Sequence, residues 1–187
     1  MLQVLLPQYI PGRYHSCFPD APCYARFVAL IPHVVIELCL LGKYRCQPAL
    51  QENYIDSKPL KVCHIKREHQ HKVMVEWAAK GKGSMGWFYG FKLHAVINRE
   101  AQLVNFLLTA GNIADNNYNV LNYLLKGIGG KFYGDKGYLS KLKEALLEKG
   151  VDLVAKMRSS SKKDALVLEK DAYYHRHRGL IETVIGQ

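Results

Sequence analysis

Hydrophobic spacing changes character once along the chain, near residue 50. Between Tyr24 and about Leu41 apolar side chains recur at helical intervals, after an opening stretch broken by Pro7 and Pro11. The longest apolar run, Phe27 to Leu41, has 15 residues and is interrupted by Pro32, His33 and Glu37. A membrane-spanning helix needs about 20 apolar residues, so this run predicts a buried or interfacial helix. Residues 1–50 hold four basic and two acidic residues and read as a partial helical segment.

From Asn53 the pattern turns strand-like. Tyr54-Ile55-Asp56 predicts a short strand ended by Pro59. Gly86 to Asn98, rich in aromatic and β-branched residues, and Gln102 to Thr109 predict an antiparallel hairpin about the turn Asn98-Arg99-Glu100-Ala101. Gly111-Asn112 stops the sheet. Asp115 is the predicted N-cap of a helix over Asn117 to Lys126, which Gly127, Gly129 and Gly130 terminate. Lys131 to Gly134 leads a strand into Asp135. Ser140 caps a helix over Lys141 to Lys149, and Val151 to Met157 is another strand. A last helix begins near Asp171 and still runs at Gln187. The order strand, hairpin pair, helix, strand, helix, strand, helix predicts an α/β protein. Its mixed sheet begins antiparallel and continues through crossover helices. That is the order of the ribonuclease H-like fold, so residues 51–187 are expected to form such a sheet with flanking helices, after the short helical segment 1–50.

Composition narrows the partner. The 187 residues carry 26 Lys and Arg against 16 Asp and Glu, a formal net charge of +10. Such an excess points to nucleic acid first and an acidic membrane second. The five cysteines are odd in number and contain no C-x-x-C pair, which predicts reduced thiols in a cytosolic protein. Met1 to Leu6 has no basic n-region, so a signal peptide is not expected.

In a sheet of this kind chemistry gathers at strand ends. Asp56 lies in the first strand, Asp135 ends the strand Lys131 to Gly134, and Glu182 sits on the last helix. Asp56 and Asp135 follow apolar or aromatic residues, where a carboxylate is costly to bury without a partner. A divalent cation is one partner, and a carboxylate cluster on a basic chain suits phosphoryl transfer on nucleic acid. Turn capping is the competing role for single aspartates at such places.

Tyr54-Ile55-Asp56-Ser57, Cys63-His64-Ile65-Lys66-Arg67-Glu68-His69 and Gly86-Trp87-Phe88-Tyr89-Gly90-Phe91-Lys92-Leu93-His94 together resemble the bacterial insertion-sequence DDE transposases, closest to the group numbered nine-eight-two. Gly111-Asn112-Ile113-Ala114-Asp115, Gly134-Asp135-Lys136-Gly137-Tyr138 and Arg178-Gly179-Leu180-Ile181-Glu182 extend the resemblance over about residues 53–182. It implies a ribonuclease H-like catalytic domain with Asp56, Asp135 and Glu182 as a triad holding Mg²⁺, for which Mn²⁺ can substitute. Water would free a 3′-hydroxyl at each transposon end, and that hydroxyl would attack target DNA with no covalent enzyme intermediate. Arg178 lies four before Glu182, as in a Tyr-Arg-Glu-Lys signature of related transposases, and on a helix the two share a face. The signature's Tyr position holds His175 here, and its Lys would fall past Gln187. By this resemblance the chain is cut short at both ends. The alternative to an active transposase is a catalytically inactive remnant that binds DNA or full-length transposase non-specifically. A stand-alone nuclease ranks below both.

Two stretches, residues 58–100 and 156–178, hold 16 of the 26 positive charges and flank the three acids in sequence. Lys66, Arg67, Lys136, Lys162, Lys163 and Arg178 are the expected phosphate contacts, giving salt-dependent affinity without base specificity. Cys63, His64, His69 and His71 are too crowded for a strong zinc pattern. Trp87-Phe88-Tyr89 reads as sheet core ahead of a base-stacking platform, and Asp115 as an N-cap ahead of a supporting acid near the metal. The implied partners are double-stranded DNA at transposon ends and target, and a second copy or full-length transposase, with no membrane. The implied location is the cytoplasm, on the nucleoid.

Overall fold

The computed structural model describes residue 16 and residues 22–70, 74–135, 143–155, 177 and 179–186. The chain divides into two units, Met1–Arg45 and Cys46–Gln187. The first contains helix α1, Tyr24–Tyr44, which agrees with the apolar periodicity and runs one turn further. Among the described residues no helix is long and apolar enough to cross a membrane.

The second unit is built on a six-stranded mixed sheet. Its strands are β1 (Glu52–Cys63), β2 (Ala79–Gly83), β3 (Gly86–Asn98), β4 (Leu103–Ala110), β5 (Gly130–Gly134) and β6 (Val151–Ala155). Helix α2 (Tyr118–Leu124) lies between β4 and β5, and α3 (Lys143–Leu147) between β5 and β6. Residues 179–185 form a last helical run, α4. β1, β3 and β4 pair antiparallel, while β1, β5 and β6 pair parallel. The spatial order β4-β3-β1-β5-β6, with β2 beside the first half of β3, is compatible with the expected ribonuclease H-like fold.

Two local expectations are corrected, and one strand appears where none was expected. Pro59 does not end β1, which runs on to Cys63 with Pro59 opposite Lys92. Pairing with β5 stops at Tyr54, so among the described residues the second half of β1 has β3 on one side and no strand on the other. A residue without an N–H is tolerated at an open edge. Nor does α4 run to the end: residue 186 is already a turn, with Gly186 at φ +69°. The added strand, β2, appears in the segment Ala-Lys-Gly-Lys-Gly, which carries no strand signal of its own. The expected cap Ser140 and strand residue Met157 lie outside the described residues.

Alternation along the strands separates two cores. Ile55 and Val96, which face each other across β1 and β3, pack with Phe132, Leu153, α2 (Val120, Leu121, Leu124) and Leu146 of α3. On the other face Tyr54, Ile97 and Tyr133 pack against Ile181 of α4. The sheet is therefore covered by helices on both faces, and which face a side chain emerges on decides what it can reach.

Candidate active site

The parallel register joins Tyr54 of β1 to Tyr133 of β5. Two residues further along, one strand carries Asp56 and the chain leaving the other carries Asp135. Side chains two apart in a strand emerge on the same face, so Asp56 shares the face of Tyr54, and Asp135 follows Tyr133 in the same phase. The two Tyr rings stack there with centroids 5.6 Å apart. α4 sits on this face through Ile181, and His177 stacks on Tyr54 at 6.4 Å. Glu182 is the next residue of that helix. Both Asp56 and Asp135 are half-buried, where β1 and β5 have ceased to pair. Such strand-end openings are where open α/β sheets place ligands.

Two contacts steady the arrangement. The Ser57 backbone N–H donates to Asp56 Oδ1 at 2.8 Å. Lys58, two residues after Asp56 on the same face, donates from Nζ to the Ile185 carbonyl at 2.8 Å and to the Gly186 carbonyl. The last carbonyls of a helix lack intrahelical donors and carry partial negative charge, so a lysine there is favourable. Lys58 thus ties the end of the helix bearing Glu182 to the strand bearing Asp56.

The oxygen-only donor set suits a hard divalent cation. Asp56 and Asp135 fit that role in chemistry and in strand position. Among the described residues no three His, Cys, Asp or Glu side chains lie close enough to hold an ion as they stand. Cys63, His64 and His69 accordingly form no zinc group, and His71 lies outside the described residues.

Asp115 is not the helix cap. Asn117 caps α2, its side chain accepting from the backbone N–H groups of Asn119 and Val120. Asp115 instead accepts from Ser57 Oγ at 2.7 Å and pairs with Lys92 Nζ at 3.2 Å. Ser57 lies opposite His94, and Lys92 is two residues away on β3, so these side chains share the face of Ile55 and Val96. That is the opposite face from Asp56. Asp115 therefore braces the back of the sheet, where Lys92 is nearly buried and needs a counter-charge.

His94 is 0% exposed in this cluster. Its Nε2 meets Thr109 Oγ1 at 2.9 Å, and Thr109 Oγ1 donates to the Ala110 carbonyl. Nε2 therefore carries the proton, leaving Nδ1 as a buried atom without a hydrogen-bond partner among the described residues, 3.8 Å from Asp115 Oδ1. Burial pushes its pKa down to about 4, with Asp115 opposing the shift and Lys92 adding to it. The unfolded chain takes up this proton near the ordinary value of about 6.5, the folded chain only near 4. Stability is thus full above the higher value and falls as pH drops towards the lower, by about 3 kcal/mol. Urea unfolding at neutral pH and in mild acid is expected to show that loss for the parent and less of it for His94→Gln. An equal acid loss in both would contradict the assignment.

The expected DNA contacts Lys66 and Arg67 sit exposed in a short 3-10 helix, Ile65–Arg67. Lys136, Lys162, Lys163 and Arg178 lie outside the described residues. Lys58, Lys92 and His94 carried no local signal for the roles they take. Strand alternation, combined with the pairing of β1 and β3, is what exposes those roles. The expectation for Trp87-Phe88-Tyr89 divides: Phe88 and Tyr89 are core, and Trp87 is exposed.

The sequence model of the transposase DDE domain matches residues 49–187. No curated protein matches the chain.

Proposed function

Since this chain belongs to the transposase DDE-domain family, we propose that it cuts DNA at insertion-sequence ends and joins the freed ends to target DNA. In this reading Asp56, Asp135 and Glu182 are the catalytic acids. The observation that supports this reading is the register of β1 on β5. Two strands far apart in sequence bring an Asp to matched positions, two residues beyond the stacked Tyr54 and Tyr133. Turn capping alone gives no reason for that match.

Asp56 and Asp135 concentrate negative charge at the opening, and Glu182 approaches from the helix lying on the same face. These carboxylates would hold a divalent cation, Mg²⁺ with Mn²⁺ as a substitute. Such an ion supplies Lewis-acid charge that activates the attacking hydroxyl and stabilises the leaving oxygen of the phosphodiester. Lys58 sets the position of α4 and so the reach of Glu182. Lys66 and Arg67 bind phosphates of double-stranded DNA, and the overall charge of +10 draws the duplex in. A second copy of the chain would serve the second transposon end.

Metal binding can be read without any reaction. At a hundredfold excess over its dissociation constant, an ion bound only by the folded state adds about 2.7 kcal/mol, or roughly 5–10 °C in melting temperature. Mn²⁺ or Mg²⁺ is expected to raise the parent's melting temperature by that order, and Asp135→Asn to remove the rise. A parent indifferent to both ions would overturn the acidic site.

A further inference from the structure

The ribbon formed by β2 and the first half of β3 presents one exposed aromatic ring between two cations. Trp87 is 57% exposed. Lys80 Nζ lies 5.6 Å and Lys82 Nζ 5.8 Å from its ring centre. Lys82 is directly opposite Trp87 in the antiparallel register, and Lys80 is opposite Tyr89. The neighbours of Trp87 in sequence, Phe88 and Tyr89, are buried, so the ribbon is anchored while this ring stays outside.

From this we infer that Trp87 is a stacking platform for an unpaired base of single-stranded DNA, with Lys80 and Lys82 holding the flanking phosphates. The inference rests on the reading that the chain works on DNA, and it names a surface that the acidic site does not include. Three observations carry it. An indole exposed to this extent leaves apolar area in water, and a base covering it recovers that area. The two ammonium groups beside the ring match the phosphates on either side of a stacked base, the combination by which single-stranded DNA is held without sequence preference. The third is placement. No residue of β3 is skipped in its pairings, so Trp87 lies on the same face of β3 as Ala95, which is opposite Asp56. The platform and the acids therefore share one side of the sheet. Eight residues of strand span about 27 Å, the rise of roughly eight nucleotides of duplex. A DNA end could reach both at once.

The two lysines are not equivalent. Lys80 also pairs with Glu68 at 2.9 Å, which lowers its net charge, whereas Lys82 is exposed beside Trp87. Lys82 is thus the stronger phosphate contact.

The test uses the full chain, a labelled oligo(dT) and a blunt duplex, with anisotropy titrations at several salt concentrations. Trp87→Ala is expected to weaken oligo(dT) binding about tenfold, as for loss of one stacked base, and Trp87→Tyr to restore most of it. Neither should change the salt slope. Lys82→Ala should reduce that slope by about 0.7, one phosphate of a single strand, with a smaller reduction from Lys80→Ala. Duplex binding should respond to the lysines and hardly to Trp87→Ala. A second readout is independent of affinity: the chain has two tryptophans, and Trp77→Phe leaves Trp87 as the reporter. Oligo(dT) should quench its emission. If Trp87→Ala binds oligo(dT) like the parent, or the emission of Trp87 is unmoved at saturation, the platform is overturned and the catalytic reading stands. A parent that binds neither DNA at low salt overturns both.

Discussion

Asp56→Asn and Asp135→Asn are each expected to slow metal-dependent DNA-strand cleavage by about a thousandfold or more, equivalent to roughly 4 kcal/mol of barrier. The substitution keeps size and shape and removes one negative charge. A hard divalent cation draws its affinity from that charge, since an amide oxygen is a far weaker ligand than a carboxylate. The fold should be nearly unaffected. The hydrogen bond that Asp56 accepts from the Ser57 N–H can be accepted equally by an amide oxygen. Both positions are half-buried at the opening beyond the β1–β5 pairing, outside the packed cores. Cleavage of DNA carrying insertion-sequence ends, followed with Mg²⁺ and with Mn²⁺, separates the two effects when unfolding midpoints are measured alongside. Parent-like cleavage in either variant would remove that residue from the chemistry. Lost cleavage with a lowered midpoint would make it structural instead.

The second large effect is on folding. Gly81→Ala is expected to destabilise the chain by about 4 kcal/mol or more, at the upper end of what overpacking produces. A methyl group at Gly81 would overlap the Gly111 carbonyl and stand 2.8 Å from Phe88 Cζ. The contact is reciprocal, for a methyl at Gly111 would lie 2.6 Å from the Ala79 carbonyl oxygen and 2.8 Å from Phe88 Cε2. Two stretches of backbone and a buried ring meet here, none of them the flexible end of a side chain. Gly111 also donates to the Gly90 carbonyl at 3.0 Å, carrying the edge of β3 from β4 to β2. Gly179 serves as the control. It is exposed in the α4 helical run with open space where a methyl would go, so Gly179→Ala should be neutral or stabilise by up to about 1 kcal/mol. Denaturant midpoints for the two variants should move in different directions or by very different amounts. Equal, small changes would mean that β2 does not pack on Gly111 as described.

The readable parts of the sequence were those with a short period. The hairpin of β3 and β4 follows from strand-forming residues around a polar turn. α1 follows from apolar spacing, and β5 from an aromatic run between glycines. β2 was not readable, because Ala-Lys-Gly-Lys-Gly has neither alternation nor β-branched residues. It is a strand through its pairing with β3 and the close approach of Gly81 to Gly111. Pro59 misled because a local rule against proline holds for a central strand, and only the sheet order shows that among the described residues no strand pairs β1 on that side. Asp115 misled for a related reason. Asp115 and Asn117 are both good capping residues, and the choice between them went to Asn117 once the nearly buried Lys92 required Asp115 as its counter-charge.

By itself the sequence determined the α/β element types, the basic charge and the resemblance to DDE transposases that the family match bears out. It also placed Asp56 in a strand, Asp135 just past one and Glu182 on a helix. Periods of two and of 3.6 residues are local properties, and they survive reading in one dimension. Only the tertiary structure decided which face each side chain occupies. Asp56 and Ser57 are neighbours in sequence, yet one turns to the Tyr54–Tyr133 face and the other to Asp115 behind the sheet. That division depends on register between strands distant in sequence, and register is set by which apolar residues both faces must bury at once. No local pattern carries that information.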